Sequence, residues 1–267
     1  MKKTIIITGS TDGIGKLTAI KLAKEGHEVY IHGRNSEKLA KVISEIQAAS
    51  NNSNIKGFAA DLSTMAAVQQ LAEKMKATVP KIDVLINNAG VYNSRIAKST
   101  DGLDLRFAVN YIAPYILTNE LLPLLETSEN ARIVNLSSAA QAPVSLDALA
   151  GNVTVTEQVS YAQSKLALTM WSFYLAKQHS NIQVIAVNPG SLLNTNMVKE
   201  AFGTHWSSAD KGADILYDLT VSEEHKGITG KYFDNDKGSY GNAHPDAYDK
   251  EKIQKLINKT ENIIGVL

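Results

Sequence analysis

Tyr161 and Lys165 stand four residues apart in Tyr161-Ala162-Gln163-Ser164-Lys165, a spacing that puts both side chains on one face of a helix. A phenol with a pKa of about 10 trades protons poorly near neutrality, and a neighbouring ammonium favours its ionised form. Such a pair is equipped for general acid–base work on a carbonyl or an alcohol. A second chemical feature lies near the start of the chain, in Thr8-Gly9-Ser10-Thr11-Asp12-Gly13-Ile14-Gly15. A glycine-rich turn between a strand and a helix brings backbone N–H groups and a positive helix end against a phosphate. The spacing is Gly-x3-Gly-x-Gly, without the Gly-Lys-Ser/Thr ending of a triphosphatase loop. Further on, His32-Gly33-Arg34-Asn35 ends the second apolar run. An acidic residue there would favour a free ribose 2′-hydroxyl, whereas Arg34 accommodates a 2′-phosphate. The preferred cofactor is therefore NADP(H), with NAD(H) as the other option.

These residues need a frame, and the hydrophobic pattern supplies one. Apolar runs at Thr4–Thr8, Glu28–His32, Ile55–Ala60, Lys81–Asn87, Arg132–Leu136, Ile182–Val187 and Lys231–Phe233 read as strands. Between them lie helical patterns at Lys16–Glu25, from Ser36 onward, at Ser63–Thr78, Asp104–Leu125 (bent at Pro114) and Ser160–Gln178. Residues 192–220 read as irregular helical segments, and Pro245 opens a terminal helix. Alternation of this kind predicts a single α/β domain over residues 1–267: a doubly wound, mostly parallel sheet with helices on both faces.

Composition removes several alternatives. The 27 basic and 27 acidic side chains of the 267 residues cancel, which argues against a nucleic-acid partner. The absence of cysteine excludes disulfides, thiolate metal sites and a cysteine nucleophile. Six scattered histidines show no His-Glu-x2-His pairing, so no metal is assigned, and no Gly-x-Ser-x-Gly elbow supports a serine hydrolase. No apolar stretch approaches the ~18 residues of a membrane helix, and no signal segment is visible. The expectation is a cytoplasmic protein without a membrane partner.

Together with Asn87-Asn88-Ala89-Gly90, Asn110, Ser137-Ser138 and Asn188-Pro189-Gly190, the glycine turn and Tyr161/Lys165 make the chain resemble the short-chain dehydrogenase/reductase family, whose fold is of the Rossmann type. Gly33-Arg34-Asn35, Phe107-Ala108-Val109-Asn110 and Ala243-His244-Pro245 look most like the retinol-dehydrogenase-like branch. The resemblance implies a catalytic set of Asn110, Ser138, Tyr161 and Lys165. In it Ser138 bonds the substrate oxygen, Tyr161 moves the proton, Lys165 also bonds the nicotinamide ribose, and Asn110 holds a water linking Lys165 to solvent. It implies a cofactor surface of Gly9, Thr11, Asp12, Gly13, Ile14, Gly15, Arg34, Asp61, Leu62, Asn88, Ala89, Gly90, Tyr161, Lys165, Pro189 and Gly190. Asn87 is read as structural, stitching neighbouring strands.

At the position where the family often carries a nicotinamide-binding Thr, this chain has Asn194, with Thr195 one residue later; either could serve. Substrate-side walls are expected from Tyr92, from the 22-residue insert 139–160 and from segment 192–225, with Met197 and Trp206, which favours a hydrophobic carbonyl or alcohol. The implied function is an NADP(H)-dependent oxidoreductase, a carbonyl reductase in the reducing direction. A non-catalytic NADP-binding redox sensor is the alternative, and a nucleotide-sugar epimerase fits the glycine spacing and length less well. Homo-oligomers through the two long helices holding Asn110 and Tyr161 are implied by resemblance alone.

Overall fold

In a computed structural model, which describes residues 2–265, the strands form one eight-stranded sheet in the order β3-β2-β1-β4-β5-β6-β7-β8. The strands are β1 (Thr4–Ile7), β2 (Glu28–Gly33), β3 (Ile55–Ala59), β4 (Val84–Asn87), β5 (Arg132–Leu136), β6 (Gln183–Asn188), β7 (Lys231–Asp234) and β8 (Ser239–Gly241). The first seven pair in parallel, with Ile6 of β1 opposite Tyr30 on one side and Leu85 on the other. Chain direction through the sheet reverses between β1 and β4, and such a switch point opens a crevice at the carboxyl ends of the strands.

The helices are α1 (Gly13–Lys24), α2 (Ser36–Ser50), α3 (Met65–Thr78), α4 (Leu105–Phe107), α5 (Ala113–Leu125), α6 (Leu146–Leu149), α7 (Glu157–Gln178), α8 (Asn196–Phe202), α9 (Ala209–Val221) and α10 (Lys250–Gly265). Two apolar layers flank the sheet. On one face Ile5, Ile7, Val29 and Ile31 pack with Ala19 and Leu22 of α1 and Leu216 and Leu219 of α9. On the other, Ile6, Leu85 and Ile133 pack with residues of α3, α5, α7 and α10. Strands buried on both faces explain why their sequences read as continuous apolar runs rather than alternating ones.

Several details depart from the pattern. β8 runs antiparallel to β7; with three residues and flanking glycines it is too short to show a period. The expected bend at Pro114 is instead a π turn over Ala108–Ile112, where the Ala113 N–H reaches back five residues to the Ala108 carbonyl. That turn leads directly into Pro114, which has no N–H for an α-helical bond. Helix α7 begins at Glu157 rather than Ser160, because the Thr156 hydroxyl accepts from the Val159 N–H and caps it. Pro245 opens only a short 3-10 turn, Pro245–Tyr248, and the last helix starts at Lys250. This helix carries Ile253, Leu256 and Ile257 into the core, and its Thr260 hydroxyl lies 2.7 Å from the Tyr111 phenol.

Candidate active site

The crevice at the strand ends is a cavity of about 430 Å³ running from the glycine turn to the start of α7. At its floor, Gly9 has φ +62°, and a Cβ there would stand 2.7 Å from the Ala89 Cα. Only glycine fits so close an approach in that conformation. Asn88 fastens the same crossing: its amide nitrogen donates to the Thr8 carbonyl at 2.8 Å and the Gly9 carbonyl at 2.7 Å. The Thr8 hydroxyl accepts from the N–H groups of both Asn88 and Ala89, each at 3.0 Å.

Beside the turn lies His32, which its sequence position gave no reason to single out. Its Nδ1 accepts from the Gly9 N–H at 3.1 Å and its Nε2 faces the Ala60 carbonyl at 3.1 Å. An acceptor at Nδ1 requires the proton on Nε2. Burial pushes the imidazole down to about 4, so the neutral ring holds the turn throughout the physiological range.

At one end of the cavity stand Arg34, exposed, and Lys38. Sequence reading missed Lys38, although it lies four residues beyond Arg34. Its ammonium is 2.8 Å from the Asp12 carboxylate. Asp12 also caps α1, accepting from the Gly13 N–H at 2.8 Å, and accepts from the Asn196 amide at 3.0 Å. These contacts, led by the Lys38 bond, hold its carboxyl below the usual range. The carboxylate of Asp12 is thus committed to protein partners. Thr11, Ile14, Gly15, Asp61, Leu62, Gly90, Pro189 and Gly190 also line the cavity.

At the other end, Ser138, Tyr161 and Lys165 meet. The Ser138 hydroxyl and the Tyr161 phenol stand beside each other in the cavity lining. The Lys165 ammonium lies 5.5 Å from the centre of the Tyr161 ring and donates to the Leu136 carbonyl at 2.7 Å. Burial lowers Lys165 to about 8. Burial also raises Tyr161; the Ser138 side chain opposes that shift and the nearby Tyr92 adds to it. The expectation of a phenol pulled down by its ammonium is therefore corrected. The ammonium is aimed at a carbonyl rather than the phenol oxygen, and enclosure disfavours the charged form of both groups. Ser137 is held elsewhere, at 2.7 Å from the Thr169 hydroxyl.

Asn110 sits at the centre of the π turn, 1% exposed. It accepts from the Val91 N–H at 2.8 Å and donates to the Val91 carbonyl and the Ser164 hydroxyl, both at 3.0 Å. Its amide fixes the chain after Gly90 to α7. Asn87 bonds Asn135 of β5 at 2.8 Å.

Around the mouth, Thr195 lines the cavity and caps α8, whereas Asn194 is exposed and outside the lining. Met197 lines the cavity, but Trp206 is 77% exposed and does not, which corrects the reading of both as walls. Tyr92 packs on Tyr161 with ring centres 4.7 Å apart. The Tyr92 carbonyl is held by Arg106, a buried guanidinium that also meets Asp104 at 3.0 Å and Glu157 at 3.1 Å.

The chain is similar to known proteins along nearly its whole length. The profile described as short chain dehydrogenase matches residues 3–206. Human polyprenol dehydrogenase is 33% identical over 99% of this chain and 86% of its own length. Mouse retinol dehydrogenase 12 is also 33% identical, over 99% of this chain and 87% of its own. A Shigella flexneri crystal structure titled a short chain dehydrogenase complexed with NADP is 30% identical, with TM-score 0.70, over 88% of this chain and 97% of that one. By fold, by sequence and by the cleft at its strand ends, the chain belongs to the short-chain dehydrogenase family of oxidoreductases.

Proposed function

We propose that the protein interconverts an apolar aldehyde or ketone with its alcohol, using NADP(H). The observation that carries this reading is the meeting of Ser138, Tyr161 and Lys165 at one end of a cavity that begins at a glycine turn and a cation pair. The residues fit a dinucleotide phosphate. Gly13, Ile14 and Gly15 at the start of α1 would face the pyrophosphate, and Arg34 and Lys38 would take the 2′-phosphate. Asp61 and Leu62 would flank the adenine, and Asn88, Ala89, Gly90, Lys165, Pro189 and Gly190 the nicotinamide half, with Thr195 rather than Asn194 near the carboxamide. When bound, the cofactor supplies or accepts the hydride at the carbonyl carbon.

The chain's own work is proton transfer and charge stabilisation. In reduction Tyr161 donates its proton to the oxygen that gains charge, and Ser138 donates a hydrogen bond to that oxygen. In oxidation the phenolate takes the proton back. Lys165 places positive charge over the Tyr161 ring, and Asn110 keeps the Val91 backbone and α7 in register. Val91, Val109, Leu193 and Met197 give the cavity lining apolar side chains, and two of the relatives are named for polyprenol and retinol, both isoprenoid alcohols. The corresponding aldehydes are the substrates to test first, followed by quinones and steroid-like ketones.

The Lys38–Asp12 pair is half exposed, and such pairs contribute little, so Lys38 can turn to an incoming phosphate. NADPH is expected to bind at least about tenfold more tightly than NADH, since charge-assisted bonds to one phosphate are worth about 1.5–3 kcal/mol. Arg34→Asp with Lys38→Gln should abolish that preference in a fluorescence titration; tighter NADH binding by the unmodified protein would overturn the assignment.

The oligomer implied by resemblance would use α5 and α7. Here α10 lies against them: Tyr111 and Tyr115, at the start of this helical run, bond Thr260 and Glu261 at 2.7 and 3.4 Å, and Tyr115 packs on Trp171 of α7. A dimer built through α5 and α7 is therefore not expected, and cross-links between copies that map to α5 and α7 would contradict this.

A further inference from the structure

The Ser138 carbonyl accepts two side-chain hydrogen bonds, one from a distant strand and one from three residues on. The Tyr232 hydroxyl of β7 donates at 3.0 Å, and the Gln141 amide donates at 2.9 Å. Gln141 is held in turn, because its side-chain oxygen accepts from the His244 N–H at 3.0 Å. Tyr232 is 4% exposed, and burial raises its pKa well above the ordinary range, so it remains a donor. Ser138 itself is half-buried, and its hydroxyl accepts from the Ala140 N–H at 3.1 Å on the side of the cavity where Tyr161 stands. Ser138, the second residue after β5, is thereby fixed on both sides: its hydroxyl faces the cavity, and its carbonyl is tied to β7 and, through Gln141, to the C-terminal segment.

We propose that Tyr232 and Gln141 are positioning residues that clamp the Ser138 carbonyl and so aim its hydroxyl at the reacting oxygen and at Tyr161. This rests on the reading of Ser138 as the donor to the substrate oxygen. Neither side chain touches that oxygen; both act through one peptide unit. A hydrogen bond net of solvent exchange is worth about a factor of ten at most in an equilibrium, so each clamp is expected to shift turnover by that order. The Ser138 side chain opposes the upward shift of Tyr161, so a displaced Ser138 leaves the phenol with a higher pKa. Alcohol oxidation needs the phenolate, and its rate rises with pH. Loosening the clamp therefore moves that rise to higher pH.

The test is a double-mutant cycle on the full-length protein, with Tyr232→Phe and Gln141→Leu each made alone and with Ser138→Ala. Each clamp variant is expected to lower kcat about 5- to 10-fold, displace the rise of the oxidation profile to higher pH, and leave the Kd for NADPH unchanged. In the Ser138→Ala background neither should have any further effect. The proposal is overturned if both single variants keep the kcat and pH profile of the parent, or if their losses simply add to that of Ser138→Ala. Should one variant fail to fold, the other carries the cycle. Full activity of Ser138→Ala alone would instead overturn the underlying role of Ser138, a result distinct from a silent clamp.

Discussion

Tyr161→Phe is expected to lower kcat about 10³-fold in either direction while leaving the Kd for NADPH within about twofold. General acid–base catalysis by a positioned side chain contributes about 10²–10⁴-fold, and the substitution removes the only phenol among the described residues of the cavity lining. The ring remains, so the contact with Tyr92, 4.7 Å between centres, survives. The surfaces assigned to the phosphates, around Gly13 and around Arg34 and Lys38, lie at the other end of the cavity. Loss of turnover with retained cofactor binding separates a proton-transfer role from a folding role. A variant that keeps most of its kcat would remove Tyr161 from the mechanism.

The second large effect is on stability. Arg106 is 2% exposed and is the hub between the chain after β4 and the start of α7. It bonds Asp104 through Nε and a terminal nitrogen, at 3.0 and 3.2 Å, and the Tyr92 carbonyl at 3.2 Å. Asp104 also accepts from the Ser160 hydroxyl at 2.6 Å, one residue before Tyr161. Arg106→Met fills much of the volume but leaves a largely buried carboxylate and a carbonyl without their donor. Breaking one side of a buried pair costs about 3–5 kcal/mol. At about 2–3 °C per kcal/mol for a chain of this size, the thermal midpoint should fall by about 6–15 °C. Adding Asp104→Asn should restore part of that loss, because the stranded charge is removed with its partner. A midpoint unchanged by Arg106→Met would show that the network carries no stability.

What the sequence made legible is what local chemistry dictates. Strand–helix alternation gave the sheet, since apolar runs buried on both faces admit few other placements. The glycine turn was readable because Gly9 needs a positive φ and a close approach that no other residue tolerates. Tyr161 and Lys165 share a helix face by spacing alone. The parts that escaped depend on contacts across long sequence separations. Arg106 reads as an ordinary surface cation until Asp104, Glu157 and the Tyr92 carbonyl converge on it. His32 is one of six scattered histidines until Gly9 and Ala60 fix its tautomer. The π turn at Asn110 has no periodic signature, and Trp206, apolar and near the mouth, projects outward instead of lining it. The direction of the Tyr161 shift escaped for the same reason: spacing brings an ammonium near, but burial and the Leu136 carbonyl decide what it does.

The central claim is that the hydride and the proton meet at one carbonyl beside Tyr161. It is tested most directly with NADPH carrying deuterium at nicotinamide C4, each face labelled in turn, and an isoprenoid aldehyde such as retinal. With one of the two labelled faces, the account predicts an alcohol bearing a single deuterium on the former carbonyl carbon, formed by the parent protein and about 10³-fold more slowly by Tyr161→Phe. Tight NADPH binding with no labelled alcohol from that aldehyde or from a panel of apolar ketones and quinones would contradict it.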